Sequence, residues 1–316
     1  MAPMILAVVI AASWTAGDPV SGREPQSAAL KPTFRSGVEL VRITAVVRDR
    51  SGRPVLGLSK ADFHLDVSGE RVPIVEFGSD ASGVSLALLV DESGSMRLPG
   101  RMEAAKGVAS HLISQVDRGR DEVSLLSFGK QLRTVQPFTA EPSAVLSHLG
   151  ALEPYGLTSL YDAIAEAARP LVNRNRPRRA VVVVTDGVDT ASLMTPPEVS
   201  RIASEIDVPV YVVAIRVGVD RIGGMPPFGR TASPESEASL DDLARWTGGA
   251  TFTAGTPAET SVVAQQILAE LRHQYLIAFE VNPQAGWHPL TVGVRKRNLY
   301  VRARGGYVAG STSGTP

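Results

Sequence analysis

The chain has no cysteine among its 316 residues. Disulfide bonds, thiolate nucleophiles and thiolate-ligated zinc sites are therefore excluded, and so is a lipid-modified N-terminal cysteine. The chain also has no excess charge, because 32 Lys and Arg residues balance 32 Asp and Glu residues. A nucleic-acid-binding protein normally has a basic excess or a basic stripe, so the sequence predicts no nucleic-acid partner.

Long apolar runs are missing as well. The run at residues 4–13 (MILAVVIAAS) is too short to cross a bilayer comfortably, and no later segment has the pattern of a membrane span. Its length is that of a signal-peptide core, and the small residues Ala11, Ser13 and Ala16 suit cleavage, although no Lys or Arg precedes it. We predict a signal peptide over residues 1–16 and an exported protein, periplasmic, at the cell surface or secreted. Membrane association is expected only if the signal stays uncleaved.

Both ends of the remaining chain alternate apolar and polar residues, which is typical of half-buried strands. After a Gly/Pro/Ser-rich linker at residues 17–36, the sequence predicts an N-terminal β segment over 37–80 and a C-terminal β segment over 273–308. Residues 309–316 are expected to form a disordered tail. The simplest arrangement pairs the two β segments into a small β module.

Residues 81–272 have a different pattern, in which continuous apolar runs alternate with segments of helical spacing. Such runs are typical of strands that are buried on both faces of a parallel sheet. The alternation predicts an α/β fold with a doubly wound, mostly parallel sheet in three layers. A Gly/Pro/Ser-rich loop at residues 217–237 is long for such a domain, and we hypothesise that it influences the choice of partner.

Oxygen-bearing side chains follow the predicted buried strands. Asp91, Ser93 and Ser95 follow the first, Asp186 follows the strand at 179–185, and Thr158 opens a helix as its first residue or N-cap. Ligands of open α/β sheets bind outside the carboxyl ends of the strands. Two carboxylates and three hydroxyls suit a hard cation, most simply Mg²⁺, with Mn²⁺ or Ca²⁺ as further candidates. A bound water on such an ion could be replaced by a carboxylate of another molecule.

These residues resemble the metal-ion-dependent adhesion site of von Willebrand factor type A domains. The resemblance covers about residues 84–272 and rests on DESGSM, GLTSLYDAI and VVVTDGVD, while the flanking segments look like those of a bacterial subgroup of exported proteins. It implies a Rossmann-like fold in which Ser93, Ser95 and Thr158 contact the ion and Asp91 and Asp186 act directly or through water. Glu92 occupies a variable place that faces the open site or solvent, and Asp189 is expected to support the site.

The sequence offers little for catalysis. It has no G-x-S-x-G elbow and no phosphate-binding glycine loop, its five His residues are scattered, and Ser93 stands where a phosphatase of the Asp-x-Asp type needs a carboxylate. We therefore predict no enzyme, no catalytic residue and no small-molecule cofactor. The expected function is cation-dependent binding of a protein partner that presents a carboxylate. A metal-dependent hydrolase and a structural module with a non-functional metal site remain alternatives, because each element alone also suits an ordinary turn or helix cap.

Overall fold

The structure is a computed structural model, and it describes residues 39–79, 83–218, 234–281 and 284–309. The predicted signal peptide at 1–16 and the linker at 17–36 lie outside the described residues, as do most of the loop 217–237 and the tail after residue 309. Within the described part of the chain, no helix is long and apolar enough to cross a membrane.

The described elements are strands at both ends of the chain and alternating strands and helices between them, as the sequence patterns indicate. The strands are β1 (Glu39–Arg48), β2 (Phe63–Val67), β3 (Glu70–Val72), β4 (Ile74–Gly78), β5 (Val84–Asp91), β6 (Glu122–Phe128), β7 (Leu132–Thr139), β8 (Arg178–Thr185), β9 (Val210–Ile215), β10 (Thr251–Ala254), β11 (Tyr275–Val281), β12 (Gly286–Val294), β13 (Tyr300–Ala303) and β14 (Gly306–Ala309). The helices are α1 (Arg101–Ser114), α2 (Pro142–Leu149), α3 (Leu160–Ala168), α4 (Pro196–Ile206), α5 (Pro234–Trp246) and α6 (Pro257–Arg272).

A six-stranded sheet forms the centre of the α/β part, in the order β10-β9-β8-β5-β6-β7. Its strands are parallel except for β7, which runs antiparallel to β6. Every residue of β5 and β9 is buried, because helices cover both faces of the sheet. The continuous apolar runs in the sequence therefore correspond to the strands of this sheet.

Helices form the two outer layers. Buried side chains of α1, α2 and α6 pack on one face of the central sheet, and those of α3, α4 and α5 pack on the other. Successive residues of β5 alternate between the two cores, since Leu86 and Leu88 face the first and Ala87 and Leu89 face the second. The predicted doubly wound, three-layer α/β fold is confirmed.

The flanking strands form two antiparallel sheets, in the orders β13-β1-β11-β4 and β14-β12-β2-β3. Their apolar side chains share one core, to which Ile43, Phe279, Leu65 and Leu290 contribute. Strand β1 from the N-terminal flank pairs with β11 from the C-terminal flank, and Glu39 lies opposite Val281. The predicted pairing of the two β segments into one β module is confirmed, and the module is a sandwich of two sheets.

One buried carboxylate joins helix α6 to this sandwich. The side chain of Glu270 is 2% exposed and pairs with the guanidinium groups of Arg48 on β1 and Arg302 on β13. Burial and the charge of Arg302 lower the pKa of Arg48. The contact therefore brings two positive charges to one negative charge.

Three local boundaries differ from the sequence-based expectations. Helix α3 has Ser159 rather than Thr158 at its N-cap, and its first amide groups donate to Asp189 and Ser192, which come from a distant segment. Helix α5 begins at Pro234, inside the stretch predicted as loop. Strand β14 was not predicted as a strand, and it pairs with β12 from Gly286 opposite Ala309. The boundaries of α3 and β14 depend on partners elsewhere in the sequence, which local patterns do not contain.

Candidate metal centre

The two candidate carboxylates lie at the ends of neighbouring strands. Asp91 is the last residue of β5, and Asp186 directly follows β8. Because β5 and β8 are parallel and hydrogen-bonded, with Val90 opposite Val184, their carboxyl ends meet at the same edge of the sheet. Both Asp residues are buried, with at most 1% of their surface exposed.

Neutral donors hold the Asp91 carboxylate. The amide of Ser93 donates to Oδ1 over 2.7 Å, and the hydroxyl of Thr185 donates to Oδ2 over 2.5 Å. Burial, together with the nearby charge of Asp186, raises the pKa of Asp91 to about 7, although these hydrogen bonds oppose the shift. Asp186 therefore lies close enough to Asp91 to disfavour the ionised form of Asp91. A cation between them would relieve that repulsion.

The hydroxyl groups of Ser93 and Ser95 come together in the short 3-10 turn at Gly94–Arg97. Their Oγ atoms are 2.9 Å apart, and Ser93 is fully buried. Ser93 is also bound to Asp91 through its amide. Three of the five predicted ligands are thus linked at this edge of the sheet, because Ser93 contacts both Asp91 and Ser95.

Thr158 lies in a loop that packs against that turn. The carbonyl of Gly156 accepts a hydrogen bond from the amide of Gly94 over 2.9 Å, which ties the loop to the peptide between the two serines. The carbonyl of Thr158 accepts from the amide of Thr190 over 2.9 Å, and Thr158 itself is buried. The loop is therefore fixed between the Ser93–Ser95 turn and the segment after Asp186. That the Thr158 hydroxyl reaches an ion shared with both serines remains a prediction.

The donor chemistry of these residues fits a hard divalent cation. Within the described ranges, no three His, Cys, Asp or Glu side chains gather around a possible metal position. The candidate site contains two carboxylates, and its other oxygens come from hydroxyls, so it would not form such a group. Hydroxyl ligands are neutral, and they leave much of the ion's charge uncompensated.

Two buried arginines beside Asp186 were missed by the sequence reasoning. Arg101, the first residue of α1, donates from Nη1 to Oδ2 of Asp186 over 2.5 Å and to the carbonyl of Ser95 over 3.2 Å. Arg216 donates from Nη1 to the backbone carbonyl of Asp186 over 3.1 Å. A basic residue in the first turn of a helix is unfavourable for the helix dipole, and this could have drawn attention to Arg101.

Two further acidic residues near the site have other partners. Glu92 pairs with Arg133 over 3.0 Å and accepts from the amide of Glu153, so its carboxylate is engaged rather than facing the open site. Asp189 accepts from the amide of Leu160 over 2.8 Å and so caps the start of α3. Neither carboxylate is directed at Asp91 by these contacts.

Comparison with known proteins agrees with this architecture. An open α/β sheet with an oxygen-rich turn after its first buried strand defines a class of Rossmann-like domains. Residues 86–188 match the family model of the von Willebrand factor type A domain. Over these residues the chain is therefore similar to von Willebrand factor type A domains.

Three individual proteins illustrate the likeness. The magnesium-chelatase 67 kDa subunit of Chlorobaculum parvum is 30% identical over 168 residues, which cover 51% of this chain and 27% of that protein. The chain thus spans about a quarter of the length of this relative. A solved von Willebrand factor type A protein from Catenulispora acidiphila matches with a TM-score of 0.50 at 15% identity, over 87% of this chain and 76% of that one. The conserved hypothetical protein BatB from Bacteroides thetaiotaomicron matches with a TM-score of 0.48 at 22% identity, over 59% of this chain and 98% of that one.

Proposed function

We propose that the α/β domain holds one divalent cation, most simply Mg²⁺, and uses it to bind a carboxylate of a protein partner. The ligands would be Asp91, Ser93, Ser95, Thr158 and Asp186. The observation that carries the proposal is the burial of two mutually repelling carboxylates beside a pair of hydroxyls, at the edge of the sheet where α/β domains bind ligands.

The mode of binding follows from the charge of this donor set. Two carboxylates neutralise a divalent ion formally, but Arg101 already neutralises part of the charge of Asp186. The ion would therefore remain attractive to a further anion. When bound, it would supply an open coordination position, and the chain's own residues would hold and orient it.

Exposed apolar side chains around this edge support a protein as the partner. Tyr155 and Leu157 flank Gly156, whose carbonyl accepts from the amide between the two serines, and they are 78% and 52% exposed. Leu98 follows the same turn, and Leu193 lies in the segment after Asp186, 92% exposed. Exposed apolar residues that cluster around a polar site are typical of interaction surfaces.

Export is part of the proposal and rests on the N-terminal sequence pattern alone. Export would be tested in bacterial cells with two fusions of this chain to an alkaline phosphatase reporter, one with residues 1–16 and one without them. Reporter activity outside the cytoplasm that depends on residues 1–16 is the expected result. Equal activity of the two fusions would contradict export through this segment.

Cation binding is tested by thermal unfolding of the full chain in chelator and in millimolar Mg²⁺ or Mn²⁺. A cation at 100 times its dissociation constant should stabilise the fold by about 2.7 kcal/mol, which raises the melting temperature by several degrees. The substitution Ser93→Ala should abolish the shift. Ser124→Ala is the matched control, because Ser124 is a buried serine in mid-strand whose hydroxyl has no hydrogen-bond partner among the described residues. A shift that survives Ser93→Ala would show that the ligand assignment is wrong.

Partner binding is tested separately, because an ion can bind without any adhesive role. Candidate partners should bind in Mg²⁺ and be released by chelator, and Leu157→Ser should weaken binding without changing the cation-induced thermal shift. Binding that persists in chelator would contradict the proposal. Cation-dependent turnover of ester or phosphate substrates that is lost in Asp91→Ala would favour the hydrolase alternative instead.

A further inference from the structure

Arg101 occupies a place that its own helix does not favour. It is the first residue of α1, where the partial positive charge of the helix N-terminus repels a cation. Its side chain is nevertheless only 5% exposed, and it follows Gly100, whose φ of 84° turns the chain into the helix. A buried guanidinium needs compensation from a charged partner. Here the compensation comes from Asp186.

The contact engages one of the predicted ligand atoms. Nη1 of Arg101 lies 2.5 Å from Oδ2 of Asp186 and 3.2 Å from the carbonyl oxygen of Ser95. Among the described residues, the other oxygen of Asp186 accepts one long contact of 3.4 Å, from the amide of Val188. The guanidinium therefore bridges the two halves of the candidate site, one on the β5 side and one on the β8 side.

Because the guanidinium and a metal ion would both use Asp186, we infer that Arg101 acts as the resident counter-cation of this site. It holds Asp186 while no ion is bound, and it lowers the affinity for the ion when one binds. The inference rests on the proposed cation site and deepens it, since it assigns a residue that sets how tightly the ion is held and how much charge it retains.

The charges around the site define the consequence. Asp91 and Asp186 contribute two negative charges, while Arg101 contributes one positive charge at the carboxylate and Arg216 another at the backbone of Asp186. With a divalent ion, this group would carry a net positive charge. An acidic partner group would therefore add to the binding of the ion, and the ion alone would bind weakly.

The test compares the full chain with Arg101→Met, a substitution of similar length that removes the charge. Isothermal titration with MgCl₂ alone, and then with MnCl₂ alone, should give at least about tenfold tighter binding for Arg101→Met. Removing one positive charge from a few ångströms away, at an effective dielectric constant of about 20, weakens the repulsion by more than the roughly 1.4 kcal/mol of a tenfold change, so tenfold is the lower bound. Arg101→Lys keeps the charge and should bind the cations nearly as the unaltered chain does.

Arg133→Met is the matched control for the loss of an arginine near the site. Arg133 pairs with Glu92, one residue after Asp91, but its side chain is 59% exposed. Solvent screens that charge, so the affinity for either cation should stay within about twofold of the unaltered chain. Thermal unfolding in chelator gives a second readout. In chelator, Arg101→Met should melt at a lower temperature than the unaltered chain. Its melting temperature should also rise more when the cation is added.

Each outcome separates this inference from the proposed function. Equal or weaker cation binding by Arg101→Met, beside measurable binding by the unaltered chain, overturns the inference and leaves the proposed function standing. Binding by Arg101→Met alone supports the inference and argues against a cation-dependent role for the unaltered chain. If neither protein binds a cation, both are overturned. Should Arg101→Met fail to fold in chelator, its refolding on addition of Mg²⁺ supports the inference, and its failure to refold overturns it.

Discussion

The cation site of the α/β domain and the junction with the β sandwich both bury acidic side chains, but they balance the charge in opposite ways. At the junction, Glu270 meets two guanidinium groups, those of Arg48 and Arg302. At the edge of the central sheet, Asp91 has no ion pair among the described residues, and only Asp186 of the two carboxylates is paired, with Arg101. In the first cluster the one carboxylate has two ion-pair partners, whereas in the second the Asp91 carboxylate has none among the described residues.

This difference gives a criterion for deciding whether a buried carboxylate stabilises the fold or binds a ligand. A carboxylate that already pairs with two arginines, as Glu270 does, fixes the positions of the strands that carry them and has no free oxygen for a ligand. A carboxylate whose ionised form is disfavoured by its surroundings raises the free energy of the empty site, and a ligand of opposite charge lowers it again. Four substitutions or changes of condition, with effects from several kcal/mol to less than one, test this contrast.

Removal of the charge of Glu270 should have the largest effect. In Glu270→Gln the two guanidiniums of Arg48 and Arg302 face each other without a counter-charge, so the free energy of unfolding should fall by about 3–5 kcal/mol. Urea denaturation should give the same loss in chelator and in Mg²⁺. Glu280→Gln, on the exposed face of β11, should change the stability by less than about 0.5 kcal/mol. A loss for Glu270→Gln that depends on Mg²⁺ would show that the junction is coupled to the cation.

The pH dependence of the free energy of unfolding in chelator should report the ionisation of the unpaired carboxylate, Asp91. The pKa of Asp91 is about 7 in the folded chain and about 3.9 in an unfolded one, so the folded state binds the extra proton between these values. This contribution to stability is complete below about pH 4 and is lost as the pH rises through 7, by about 2–4 kcal/mol. Urea denaturation from pH 5 to pH 8 would measure it, and Mg²⁺ should reduce the loss because the ion favours the ionised form. A stability contribution from Asp91 that rises with pH in chelator would contradict the assignment.

Asp91→Asn should act in the opposite direction to Glu270→Gln. It removes a buried charge that Asp186 repels, so at pH 8 in chelator it should raise the free energy of unfolding by about 1 kcal/mol. It should also reduce the stabilisation by Mg²⁺, since the amide oxygen can still face the ion but no longer brings a negative charge to it. The measurement is urea denaturation with and without Mg²⁺, and Asp189→Asn serves as the comparison because Asp189 caps α3 instead. Destabilisation by Asp91→Asn in chelator would show that its hydrogen bonds outweigh the repulsion.

The smallest effect is expected for the exposed pair beside the site. Glu92→Gln removes the ion pair with Arg133 but keeps an acceptor for the amide of Glu153, so the stability should change by about 0.5–1 kcal/mol. High salt should reduce this difference, because the arginine is mostly exposed. The affinity for Mg²⁺ should stay within about twofold, as titration calorimetry would show. A large fall in that affinity would place Glu92 among the ligands.

The sequence predicts the larger features of this molecule because they depend on local periodicity. The apolar runs of β5 and β8 and the alternation in β1 and β11 are visible without knowing any contact. The order of strands then places Asp91 and Asp186 at one edge, since parallel neighbours end together.

The contacts that decide the chemistry are not local, and the sequence does not contain them. Arg101 and Asp186 are 85 residues apart, and their pairing depends on how the N-terminus of α1 is turned against the end of β8. The same holds for Thr158, whose loop is positioned by Gly94 and Thr190. Residue types alone predict which side chains suit a cation. The arginine that lies beside them, Arg101, is brought there only by the fold.

The pairing of the two flanks also determines how the molecule would carry mechanical load. A pulling force applied at residues 39 and 309 acts first on the sandwich, because β1 and β14 both belong to it and Glu39 is paired with Val281. The α/β domain is inserted between these strands in the sequence, and it would bear no load until β1 separates from both β11 and β13. Tension along the chain would therefore reach the candidate cation site, in the turn after β5, only after the flanking strands of the sandwich have separated.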